Sequence, residues 1–153
     1  MEDILIRQAR LEDLPVLYQF EQAVIAAERP FDATLKSGQI HYYDIEKMIM
    51  DTDVELLVAA INKEVVGSGY ARIENAKPFL QYGRHAYLGF MYVKPQWRGK
   101  DINKKIIDAL TNWVQQHNIT ELRLDVYQPN IAAIKAYEKA GFTKHMIEMR
   151  KGL

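Results

Sequence analysis

A mixed α/β fold of the α+β kind is predicted from three features of the chain. Apolar residues alternate with polar ones at Ile4 and Ile6 and at Leu122, Leu124 and Val126, which is the period of a strand. They recur at helical spacing between Leu11 and Ala27 and again from Ile102 to Val114. The length of 153 residues, 48% hydrophobic and 26% charged, suits one compact domain with a core of its own, over residues 1–153.

The elements follow in order. Ile4 and Ile6 mark a short first strand. Leu14, Leu17, Phe20, Val24 and Ile25 make the apolar face of a helix, and Pro15 fits its first turn, where a missing N–H costs nothing. The segment from Arg29 to Asp44, with Pro30, Gly38 and several aromatics, reads as a long loop, and Ile45–Met50 as a second short helix. Glu55–Ile61 and Glu64–Glu74 are apolar runs joined at Asn62-Lys63, a hairpin turn. Ala86–Val93 is a further run, stopped by Pro95. Ile102, Ile106, Ile107, Leu110, Trp113 and Val114 form one stripe on a third helix, with Lys104, Lys105, Asp108, Asn112 and Gln115 off it. Leu122–Val126 is a strand, Asn130–Ala140 a helix closed by Gly141, and Lys144–Lys151 a last strand. The order is β-α-α-β-β-β-α-β-α-β.

Composition removes several functions. Twenty basic and twenty acidic residues give a formal net charge of zero, which argues against nucleic-acid or anionic-membrane binding, since both normally need a basic surplus. Without cysteine there is no disulfide, cysteine-ligated zinc or thiol nucleophile. Glu2, Asp3 and Arg7 interrupt the start, and no run approaches a membrane span, so a soluble, cytoplasmic protein is expected. His41, His85, His117 and His145 lack metal-ligand spacing and read as surface or loop residues, so no metal is expected.

Two blocks carry chemistry. Val93-Lys94-Pro95-Gln96-Trp97-Arg98-Gly99-Lys100-Asp101-Ile102-Asn103 leads from a strand end through a basic loop into a helix. The unpaired N–H groups at a helix N-terminus favour a phosphate, and Arg98 and Lys100 add cations. Taken alone, the block also fits an ordinary strand-to-helix connection. In Asn130-Ile131-Ala132-Ala133-Ile134-Lys135-Ala136-Tyr137-Glu138-Lys139-Ala140-Gly141-Phe142, the residues Asn130, Ala133, Tyr137 and Gly141 share one narrow helix face. A small residue there lets a ligand chain lie close, although a core-packed Tyr137 and a plain N-cap at Asn130 also satisfy the pattern.

Together the blocks resemble the GNAT superfamily of acyl-CoA-dependent N-acetyltransferases. Its pattern is a strand ending in V-x-P, then R-G-x-G-x-G opening a helix, then a strand and a helix carrying N-x-x-A-x-x-x-Y-x-x-x-G-F. The second pattern is matched at every specified position. The resemblance implies a central mixed, mostly antiparallel sheet of six or seven strands flanked by four helices. It implies acetyl-CoA as cosubstrate, with Met91, Tyr92 and Val93 pairing its pantetheine arm through their backbone. Arg98, Gly99, Lys100, Asp101, Ile102 and Asn103 would hold the pyrophosphate on their amides, and Asn130 and Ala133 would border the CoA. Tyr137 would protonate the departing thiolate, and the acceptor would be an amine of a small molecule, amino acid or peptide.

The chain departs from the pattern in three places. Asp101 and Asn103 replace two loop glycines; both types tolerate positive φ, so the loop shape can survive. A carboxylate about 5 Å from a phosphate charge is repelled by roughly 3 kcal/mol at an effective dielectric near 20, so weakened CoA binding is expected. Only about a dozen residues follow Gly141, room for one strand rather than two, and pairing of sheet edges in a homodimer is one way to complete the edge. Third, Ala86–Val93 holds no carboxylate to take a proton from the amine. Asp125, five residues before Asn130, is the first candidate base, ahead of Glu28 and Glu74, although its ordinary pKa near 3.9 makes it a weak one. By family position, residues Glu28–Asp32 and His41–Asp44 would border the acceptor. The alternative reading is an acyl-CoA-binding sensor or dimerisation module without catalysis on the same fold.

Overall fold

A computed structural model describes residues 3–153. Five strands form one sheet in the order β1-β2-β3-β4-β5: β1 Ile4–Gln8, β2 Val54–Ile61, β3 Glu64–Asn75, β4 Arg84–Val93 and β5 Leu122–Arg123. The first four pair antiparallel and β4 pairs parallel with β5. Four α-helices accompany it, α1 Leu14–Glu28, α2 Ile45–Met50, α3 Ile102–Gln116 and α4 Ile131–Lys139. The mixed, mostly antiparallel sheet and the four helices agree with expectation; the strand count is five rather than six or seven.

Local chemistry explains most boundaries. Asn62 and Lys63 both take positive φ, 50° and 70°, as a two-residue hairpin turn between β2 and β3 requires. Asp44 begins α2 by accepting from the Lys47 amide, and Asn130 begins α4 by accepting from the Ala133 amide at 3.3 Å. Gly141, at φ 101°, ends the last helix.

The core has two parts, one on each face of the sheet. On one face, α3 lays Ile102, Ile106, Leu110 and Val114 against Leu57, Ala59, Val66, Ala71 and Leu88. Each such aliphatic side chain contributes about 1.5–3 kcal/mol by leaving water. On the other face, Leu17 and Phe20 of α1 and Ile45 of α2 pack on Val58, Tyr70 and Phe90.

The C-terminal third differs from expectation. The strand foreseen at Leu122–Val126 is only Leu122–Arg123, and that foreseen at Lys144–Lys151 does not form. A strand exists only where a neighbour takes its N–H and C=O groups. Among the described residues, nothing pairs with the outer edge of β5. Met146, Ile147 and Met149 are 84, 85 and 90% exposed, and α4 buries no residue fully.

Candidate active site

β4 organises the site. It pairs with β5 only at Ala86↔Leu122 and Tyr87↔Arg123, after which the two strands part. Further along, Phe90 takes φ 55° and the register with β3 slips between Ser68 and Tyr70, so Phe90 and Met91 bulge opposite Gly69. The Ser68 hydroxyl, buried beneath, holds the bulge by donating to the Phe90 carbonyl at 2.9 Å. Beyond Tyr87, therefore, the β5 side of β4 presents backbone groups that no strand among the described residues occupies. An extended amide-bearing chain fits such a position. The sequence placed Met91, Tyr92 and Val93 here. Met91 and Tyr92 are half-buried, whereas the Val93 side chain is buried, so Val93 has only its backbone to offer.

The end of β4 leads through Lys94 to the predicted phosphate loop. Gly99 has φ 77° and Asp101 has φ 61°, so the aspartate occupies a left-handed position that glycine fills without strain. Asn103 does not; it lies inside the first turn of α3. Asp101 makes no side-chain cap, so the first amides of α3 are not taken by its carboxylate. That removes one obstacle to an anion at this helix end. Of the loop cations, Arg98 is turned back, its Nε donating to the Val93 carbonyl at 2.8 Å and its guanidinium 5.7 Å from the Tyr92 ring centre. Lys100 lies 5.2 Å from the Trp97 ring centre. Lys104 is engaged chiefly by Asp108 at 2.7 Å, with Asp101 a lesser influence. The Ile102 side chain is core, 1% exposed, leaving its backbone alone at the loop.

On α4, Asn130 spends its side-chain oxygen on the helix cap. Ala133 and Tyr137 are half-buried on the same face, and the Tyr137 ring meets Phe142 edge-on at 5.8 Å. Burial, with a smaller contribution from the Glu28 charge, raises the Tyr137 pKa, so the phenol keeps its proton.

A cleft of about 550 Å³ opens at the other end of β4, lined by Tyr42, Tyr43, Tyr70, Arg72, Glu74, His85, Tyr87, Arg123 and Asp125. The sequence singled out Tyr42, Tyr43, Glu74 and Asp125 among these and missed Tyr70, Arg72, Tyr87 and Arg123. Asp125 is exposed, and the Tyr87 hydroxyl donates to it at 3.3 Å. His85, expected at the surface, is buried in β4 at 7% exposure, on the same face of the strand as Tyr87; its Nε2 lies 3.2 Å from Glu74. Glu28, half-buried, has its pKa raised by desolvation, offset in part by the Tyr42 hydroxyl. Asp32 accepts from the Tyr127 hydroxyl at 2.8 Å. Among the described residues no group of three His, Asp or Glu is placed to hold a metal ion.

The tyrosine wall is held from beneath. Glu21, fully buried in α1, accepts from the backbone amides of Tyr42 and Tyr43, each at 2.9 Å, and meets His41 Nδ1 at 2.8 Å. No sequence signal pointed to it. Position 21 simply reads as a polar break in an apolar helix face.

Residues 18–142 match the model of the acetyltransferase (GNAT) family. Among curated proteins, thialysine N-epsilon-acetyltransferase of Bos taurus is 37% identical over 59 residues, 39% of this chain, and that of Sus scrofa 36% over the same length. The match spans 35% of those relatives' length. Among solved structures, a predicted acetyltransferase with acetyl-CoA from Clostridium acetobutylicum aligns at TM-score 0.72 and 20% identity, over 97% of this chain and 96% of its own. A mutant protein from Bacillus halodurans aligns at 0.87 and 18%, over 97 and 99%. Glucosamine-6-phosphate N-acetyltransferase from Arabidopsis thaliana aligns at 0.70 and 20%, over 99% of each chain. At these identities the structural likenesses establish the fold.

Proposed function

The chain belongs to the acetyltransferase (GNAT) family, and on that premise we propose that it is an acetyl-CoA-dependent N-acetyltransferase acting on a primary amine of a small molecule, amino acid or peptide. The catalytic domain of this reading spans residues 1–153. The observation that carries it lies along one strand. β4 walls the tyrosine-lined cleft with His85 and Tyr87, parts from β5 there, and six residues later enters a loop whose helix amides are open to an anion.

In this reading the pantetheine arm of the cosubstrate runs along the free side of Met91, Tyr92 and Val93. Its pyrophosphate meets the amides of Arg98, Gly99, Lys100, Asp101, Ile102 and Asn103, and Asn130 and Ala133 flank it. The amine nitrogen attacks the thioester carbonyl carbon, a C–N bond forms, and the C–S bond breaks. The amine's proton passes to Asp125, through water because that carboxylate is exposed, and Tyr137 returns a proton to the CoA thiolate. Backbone N–H groups at the β4 bulge polarise the carbonyl.

Among the described residues the outer edge of β5 is unpaired and the apolar tail residues Met146, Ile147 and Met149 are exposed, which supports a homodimer formed through sheet edges. Among the described residues no helix is long and apolar enough to cross a membrane. The reading puts the reaction in the cytoplasm, with no nucleic-acid partner. The second reading, an acyl-CoA-binding module without turnover, draws support from the Asp101 carboxylate in the loop. Thiol release from acetyl-CoA with a panel of amines tests the pair. Amine-dependent release supports transfer; binding of acetyl-CoA with no release under any amine supports the module.

A further inference from the structure

We propose that the acceptor is a zwitterionic amino acid, its carboxylate held between Arg72 and Arg123 and its ammonium group at Asp125; this rests on the acetyl-transfer reading of the same cleft. Arg72 on β3 faces Tyr87 on β4, and Tyr87 faces Arg123 on β5, so the three side chains form one row across the cleft floor. Neighbouring strands lie about 4.8 Å apart, which puts the backbones of the two arginines roughly 10 Å from each other, with the tyrosine between.

Both guanidinium groups are fixed in the same way. Arg72 donates through Nε and Nη2 to one oxygen of Glu74, at 2.8 and 2.6 Å, and lies 5.6 and 5.3 Å from the ring centres of Tyr70 and Tyr87. Arg123 donates through Nε and Nη2 to one oxygen of Glu121, at 3.2 and 3.0 Å. In each case the Nη1 edge is left over. Among the described residues, Arg72 Nη1 reaches only the Tyr70 hydroxyl, at 3.5 Å, and Arg123 Nη1 has no partner. Two oriented donor edges facing one cleft match the planar oxygens of a carboxylate.

Charge selects the rest of the ligand. The cleft is lined by two cations, Arg72 and Arg123, and two anions, Glu74 and Asp125. Glu74 already serves Arg72. Asp125 takes one hydrogen bond, from Tyr87, and has no cation within ion-pair distance among the described residues. Glu121 likewise serves Arg123, so what stays open is the Nη1 edge of each arginine, which a carboxylate can fill, and Asp125, which an ammonium group can fill. A polyamine would meet Arg72 and Arg123 with like charge and leave their donor edges unfilled, and a phosphate dianion would add negative charge where both arginines are already paired and Asp125 is not. An amino acid satisfies both ends, and the rings of Tyr42, Tyr43, Tyr70 and Tyr87 offer apolar walls for its side chain.

Matched pairs of ligands test this: lysine against cadaverine, ornithine against putrescine, phenylalanine against phenethylamine. Each is titrated into the protein saturated with CoA, and each is assayed for turnover with acetyl-CoA. We expect one or more amino acids to bind at least tenfold more tightly than the amine lacking the carboxylate. Arg72→Met should erase that ratio by weakening the amino acid, while the amine, relieved of a like charge, binds as tightly as before or more tightly, and Arg72→Lys should recover part of the ratio. A melting curve and acetyl-CoA titration for each variant check folding. Equal or tighter binding of every decarboxylated partner overturns the proposal, as does an Arg72→Met loss shared equally by both members of a pair. Preferential amino-acid binding with no turnover upholds this ligand class and instead defeats the acetyl-transfer reading.

Discussion

Glu21 Oε2 lies 2.9 Å from the backbone nitrogen of Tyr43, so a carboxylate buried in α1 sets where the tyrosine wall of the cleft stands. It accepts from Tyr42 at the same distance, while His41 occupies the other oxygen. Removing the carboxylate strands two amides and the partnering histidine. Glu21→Ala should therefore destabilise the fold by about 3 kcal/mol, the cost typical of breaking a buried charged network. Glu21→Gln keeps one acceptor oxygen and should cost less. Chemical denaturation measures both; a loss below about 1 kcal/mol in the alanine variant would show that the wall stands without Glu21.

Asp101 holds a left-handed conformation, φ 61°, and projects an exposed carboxylate beside the open amides of α3. Asp101→Gly should relieve both penalties. The backbone gain is at most about 1 kcal/mol, the low end of the left-handed penalty, because aspartate tolerates positive φ better than most residues. Acetyl-CoA affinity should rise about tenfold, less than the roughly hundredfold of an unscreened charge, because the side chain faces solvent. Calorimetric titration reads the second effect, and equal affinities would remove Asp101 from the phosphate site. The gain should shrink at high salt.

Tyr137 is poised to keep its proton, since burial raises its pKa above the ordinary tyrosine value of about 10. As a general acid it works in the protonated form, which persists below the raised pKa and is lost only above it. The alkaline limb of kcat should accordingly lie above pH 10. Tyr137→Phe should lower kcat by about 100-fold, the usual contribution of a positioned acid, and leave acetyl-CoA binding nearly unchanged. A variant with full turnover would end the assignment.

The α3 stripe and the two motif helices were legible because periodicity is local: Ile102, Ile106, Leu110 and Val114 declare their face within four turns. Asp101 was legible as well, because few residue types accept positive φ. The row Arg72–Tyr87–Arg123 was not. It exists only through the register of three strands separated by up to 51 positions, and no window of sequence contains it. Glu21 was hidden for the same reason, its partners lying 20 to 22 residues away. The error at Lys144–Lys151 has a different origin. Met146, Ile147 and Met149 give it apolar character, but a strand needs an edge to pair with, and pairing is not a property of the segment itself.

That unpaired segment motivates the last prediction. Met146, Ile147 and Met149 stand almost fully in water, and among the described residues the outer edge of β5 has no neighbour. Exposed apolar residues and free strand edges are both unfavourable, and pairing between two copies resolves them together. Sedimentation should report a dimer at micromolar protein. Deleting residues 144–153 should shift it to monomer while preserving the β1–β4 sheet, whose packing against α1 and α3 does not involve the tail. Met149→Lys, which leaves the chain length unchanged, should weaken the dimer in the same direction. A dimer of undiminished affinity after deletion would assign the interface elsewhere, and a monomer in the intact protein would mean that the tail stays solvated on its own.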